Sequence, residues 1–192
     1  MKWLMVVLNC IVMTGALQAQ LANAKTTFPA SSSTSQIQQD EVKVAPGAVL
    51  MAWKGKNVLE AEIAAKVDTG KEFSSRNINS DPIAASTNEK LSKWTGILNV
   101  TEPGLYTFSI KGYGVRDSTS SLFINGTQIF SGGGDYTSSK NVQLPGPVTM
   151  EVIIYSNYTL GTCNNGLFIR FKKAGTLSWT VITPEMLLHK VQ

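Results

Sequence analysis

Histidine and cysteine are almost missing from the 192 residues: there is one histidine, His189, and there are two cysteines, Cys10 and Cys163. That scarcity excludes a metal centre built on imidazole and thiolate, and it leaves Cys163 without a histidine motif of the kind that marks a catalytic thiol. Charge is also sparse. Lysine and arginine form no run and no linear stripe with interleaved aromatics, so nothing prepares the chain for the phosphate contacts of a nucleic-acid reader. No apolar stretch reaches the roughly 20 residues that a helix needs to cross a bilayer. The carboxylates Asp117, Asp135, Glu151 and Glu185 carry no spacing that implies a paired acid and base. We therefore expect a protein that binds, and not an enzyme.

What the chain does have begins with an address. Lys2 precedes a mostly apolar run from Leu4 to Leu17, and Ala22-Asn23-Ala24 offers the small-x-small pattern of a signal-peptidase site, with Ala19 as a second cleavage point. Residues 1–24 are expected to be a signal peptide, and the mature protein to be secreted, periplasmic or on the cell surface. It would have no membrane span and keep 16 cations against 13 carboxylates. Cleavage would leave Cys163 alone, which precludes an intramolecular disulfide and makes the fold depend on its hydrophobic core. Cys163 would be either buried and inert or exposed and able to pair with another chain. Residues 25–46, with Ser31 to Ser35 and Gln36, Gln38 and Gln39, hold few large apolar side chains and read as a flexible tether.

From residue 47 on, alternation dominates. Ala48 to Trp53 supplies a first strand. Trp94, Gly96, Leu98 and Val100 share one face, and Tyr106, Phe108 and Ile110 alternate with Thr107, Ser109 and Lys111. Asn125-Gly126 between Leu122–Ile124 and Thr127–Phe130 is a strong two-residue hairpin signal. Val148, Met150, Val152 and Ile154 form another such face, as do Leu167, Ile169 and Phe171. Residues 58–67 fit a helix or a strand equally. Thr183 as a cap and Pro184 at the first helical position predict a short C-terminal helix over Glu185 to Leu188. At least eight strands separated by Gly, Pro and Asn turns specify an all-β fold, an antiparallel β-sandwich or a closed barrel. Trp94, Phe108 and Trp179 are expected in its core.

The stretch Lys93-Trp94-Thr95-Gly96-Ile97-Leu98-Asn99-Val100-Thr101-Glu102-Pro103-Gly104-Leu105-Tyr106-Thr107-Phe108 closely resembles the core signature of the protective-antigen-type domain, the PA-fourteen family. Leu122 to Gly126 is similar to that family's hairpin, and Leu167–Phe171 with Thr183–Leu188 to its last strand and closing segment. The resemblance covers roughly residues 46–190. It implies a β-sandwich of a family found in toxins, adhesins and cell-surface proteins, several of which bind carbohydrate. In the carbohydrate-binding adhesins of the family, two adjacent aspartates in the loop after the Tyr-Thr-Phe strand hold calcium. Here that loop carries Arg116 at the first position and retains only Asp117, and a guanidinium opposes a calcium site.

Two loops, 111–121 and 156–166, are expected to form one ligand-facing edge. Asn164 and Asn165 would hydrogen-bond sugar hydroxyls, Tyr158 would stack on a sugar face, Tyr113 and Tyr136 would be platforms for a glycan or peptide, and Asp117, the one retained calcium-type aspartate, and Asp135 would complete the surface. Asn-Asn-Gly is equally ordinary turn chemistry, and the tyrosines equally fit packing of their own loops. The functional expectation is an exported binding or adhesion module that recognises carbohydrate or a cell-surface glycan. The alternative is a structural or assembly subunit of a surface or secretion apparatus that docks another exported protein.

Overall fold

The computed structural model describes residues 42–78, 82–83, 87–114, 118–133, 135–157 and 165–191. The leader, most of the tether, Arg116, Asp117, Tyr158, Cys163 and Asn164 lie outside the described residues.

Two antiparallel sheets face each other. The larger is built from β1 (Val44–Pro46), β2 (Ala48–Lys54), β3 (Glu62–Asp68), β5 (Glu89–Leu98), β7 (Thr119–Ile124), β8 (Thr127–Gly133), β10 (Val148–Asn157) and β13 (Leu187–Lys190). The smaller holds β4 (Phe73–Ser74), β6 (Gly104–Tyr113), β9 (Tyr136–Leu144), β11 (Gly166–Lys173) and β12 (Thr180–Ile182). The result is a sandwich and not a closed barrel. The alternating residues read from the sequence supply the core from both sheets. Leu50, Trp94, Leu98, Leu122, Val152 and Ile154 come from one side, and Phe108, Ile110, Leu167 and Ile169 from the other. Asn125 and Gly126 both adopt positive φ, 48° and 73°, as a tight two-residue hairpin requires.

The larger sheet changes partner part-way along β5. One edge of β5 pairs with β2 from Lys90 to Thr95 and then with β13 at Ile97 and Leu98. Gly96 sits at the changeover, where an added Cβ would lie 2.7 Å from the Cβ of Leu187. On the other side of the junction, Gly47 turns β1 into β2 at φ 116° and donates its N–H to the Leu187 carbonyl at 2.7 Å. β1 therefore enters the sheet within the segment read as tether.

Three expectations need correction or resolution. The C-terminal segment is not a helix. Pro184–Met186 makes a single 3-10 turn, the Thr183 side chain accepts no cap bond, and Leu187 then enters β13 and is fully buried. Pairing Leu187 and Leu188 with β5 satisfies backbone groups that a three-residue helix would leave open. Residues 58–67 resolve as a turn followed by β3, whose register shifts by a β-bulge opposite Ala52 and Trp53. Trp179 is not in the core. It is half-buried on the outer face of the smaller sheet, with the Arg170 guanidinium 4.7 Å and the Lys172 ammonium 4.9 Å from its ring centroid.

Candidate functional site

Four chain crossings between the sheets occur at one end of the sandwich: β4 to β5, β6 to β7, β8 to β9, and β10 to β11. The register fixes this. Gly166 pairs with Tyr113 and Ser74, Gly112 with Tyr136, Thr119 with Gly133 and with Tyr155, and Asn157 with Glu89. The structure thus brings the bases of the loops 111–121 and 156–166 to the same end, beside the turn that carries Asp135.

The interior changes character towards this end. Across the inner face of the larger sheet, the row Leu50–Trp94–Val152 is apolar, the next is Ala52–Ser92–Ile154, and the last is Lys54–Lys90–Ser156. Ser92 and Ser156 are fully buried, and so nearly is Lys90, whose ammonium burial pushes below its ordinary value. Ser118 and Ser120 extend the polar lining on β7 and its approach.

Tyr136 lies across Gly112 and stacks on Phe130 with ring centroids 4.6 Å apart. Only glycine at 112 leaves room for that ring. Burial pushes the Tyr136 phenol up to about 12, against a smaller opposing pull from Ser120. Tyr113 packs over Gly166 and donates its hydroxyl to Glu72 Oε2 at 2.9 Å. Its phenol is also pushed up to about 12, first by burial and then by the Glu72 carboxylate. Asp135 is exposed.

This arrangement of strands and crossings matches solved structures. The chain superposes on the PA14 domain of the antifreeze protein MpAFP with a TM-score of 0.54 at 15% identity, covering 80% of this chain and 96% of that one. The chain has the PA14 fold. Two anti-sigma factor domain-containing proteins, one of them from Clostridium clariflavum, give TM-scores of 0.54 and 0.51 at 15% and 18% identity. They cover 76% and 74% of this chain, which spans about half the length of each, 48% and 47%. No family model matches the sequence, and no curated protein does. At these identities the likeness concerns the fold and not the ligand.

Within this PA14 sandwich, Asn165 occupies a position the sequence does not foretell. It is fully buried, its side chain fills the space over Gly114, its carbonyl accepts from the Ser75 N–H at 2.9 Å, and its own N–H donates to Ser75 Oγ at 3.3 Å. It ties the base of the 156–166 loop to the segment after β4. Sequence reading also passed over Asp68. This buried carboxylate accepts the Trp94 indole N–H at 2.7 Å, the Asn77 amide at 2.7 Å and the Gly70 N–H at 2.8 Å, and so joins β3 to the core tryptophan. A turn-flanked aspartate at the end of an ambiguous segment gave no signal of it. Among the described residues no three carboxylate, thiol or imidazole groups gather where one metal ion could touch them. Glu89 accepts from the Tyr155 hydroxyl and lies near Lys56, and Glu72 serves Tyr113. Asp117 lies outside the described residues.

Proposed function

We propose that this PA14 sandwich is the binding part of an exported adhesion module that takes carbohydrate at the loop end. One observation carries the reading: the register gathers four sheet-to-sheet crossings at one end, with two half-buried tyrosines and an exposed aspartate among their bases. Loops on a rigid sheet are the usual place for recognition. The sequence resemblance to a family with carbohydrate-binding members supports the ligand class. In this reading Tyr113 and Tyr136 shape the floor, Asp135 accepts from sugar hydroxyls, and Asp117, Tyr158 and Asn164 act from the two loops. Arg116 beside Asp117 makes binding independent of calcium or only weakly dependent on it.

A glycan array on the mature chain tests this. The expected result is a defined set of bound glycans, with Asp135→Ala weakening binding about tenfold while the melting curve stays unchanged, because the side chain is exposed. Chelation of calcium should leave binding largely intact. A blank array with a co-purifying exported protein would favour the assembly-subunit reading instead.

A further inference from the structure

Every described carboxylate lies outside the smaller sheet: none of β4, β6, β9, β11 or β12 contains Asp or Glu. Those same strands carry Lys111, Lys140, Arg170, Lys172 and Lys173. The pleat sends Lys111, Arg170 and Lys172 to the outer face, because the residues alternating with them, Ile110, Ile169 and Phe171, pack into or against the core. No linear stripe announces this. The fold assembles it by pairing Arg170 with Ser109, Lys172 with Thr107 and Phe168 with Lys111.

Some cations do meet a carboxylate: Lys93 pairs with Glu151 at 2.5 Å and Lys71 with Glu185 outside the smaller sheet, and Lys173 at the end of β11 with Glu102 at 2.6 Å. Among the described residues no carboxylate pairs with Lys111, Arg170 or Lys172. Neighbours on one strand face stand roughly 7 Å apart and adjacent strands about 4.8 Å, so the three charges share one small surface and repel one another. Hydroxyl and amide groups and the exposed Phe168 ring fill the spaces between them. Arg170 Nε donates to Ser109 Oγ at 3.3 Å, and Thr107 Oγ1 to Asn141 Oδ1 at 2.9 Å.

We propose that this face is a second binding surface, for an acidic polysaccharide. Lys111, Arg170 and Lys172 hold its carboxylates, and Thr107, Ser109 and Asn141 take its hydroxyls. The assignment stands apart from the loop-end reading, since it uses a different face and different residues. The mixture of charge and hydroxyl favours this polymer over the other polyanions. A lipid headgroup layer would desolvate the central Ser, Thr and Asn groups without replacing their bonds. A nucleic-acid strand stacks successive bases on several aromatic platforms, whereas this face offers one exposed ring, Phe168, and the Trp179 ring already engages Arg170 and Lys172.

The test measures affinity of the full mature chain for alginate, with neutral dextran, single-stranded DNA and equimolar phosphatidylglycerol–phosphatidylcholine vesicles as competitors. Alginate is expected to bind, with log affinity falling against log salt at a slope of about −2 for three neutralised charges. Lys111→Gln and Lys172→Gln should each weaken it about fivefold. Lys111 makes no contact with Trp179, so Lys111→Gln is expected to keep the wild-type melting curve and to give a clean reading even if changes at Arg170 disturb packing. Equal binding of dextran, tighter binding of DNA or vesicles through the same residues, or an unchanged alginate affinity in Lys111→Gln would overturn the proposal.

Discussion

Asn165 shows how far a residue type alone can mislead about its task. An Asn-Asn-Gly turn suggests an exposed amide, yet the backbone pairing of Gly166 with both Tyr113 and Ser74 draws its predecessor inward against Gly114. Asn165→Ala should therefore lower stability by about 1–3 kcal/mol, the range for disturbing a buried polar group, which denaturant unfolding would measure. The two tyrosines make a second prediction at this scale. Both phenols are held protonated to about 12, whereas in the unfolded chain they ionise near 10. The folded state thus binds more protons than the unfolded state in this window. Their contribution is constant below pH 10 and is lost as pH rises towards 12. Tyr113→Phe should shrink that alkaline loss, read as the difference between the two proteins' denaturation midpoints across the window.

The strands were legible wherever hydrophobic alternation was regular, because period-2 burial is the dominant local signal for a sheet. Thus Tyr106, Phe108 and Ile110, or Val148 to Ile154, could be placed from the sequence alone. The C-terminal segment was not legible, since Thr183 and Pro184 present helix-start chemistry and the competing partner, Leu98, is 89 residues earlier in the chain. Trp179 failed for a related reason. An aromatic beside a strand looks like core, and only the pairing of β12 with β11 shows that it covers Arg170 and Lys172 from outside. If β13 closes the gap beside Gly96, Leu187→Ala should cost about 2–5 kcal/mol, as removal of a fully buried leucine does. A loss under 0.5 kcal/mol in thermal or denaturant unfolding would mean that this segment is dispensable.

For the whole molecule, the sequence resemblance and the two-sheet order agree on a PA14 sandwich, while the ligand surfaces depend on what the fold juxtaposes. The gathering of loops at one end could be read from the chain once the strands were assigned. The acid-free outer face could not, because its three cations come from two strands, with Lys111 standing 59 and 61 residues before Arg170 and Lys172. The measurement that bears most directly on the central claim is an amide chemical-shift titration of the isotope-labelled mature chain with a glycan selected on the array. Loop-end recognition predicts saturable shifts at Gly112 to Gly114, Asp135, Tyr136 and Gly166, with the Asn125-Gly126 turn at the far end unmoved. Shifts confined to the far end, or spread over the outer face with the loop-end amides silent, would contradict it.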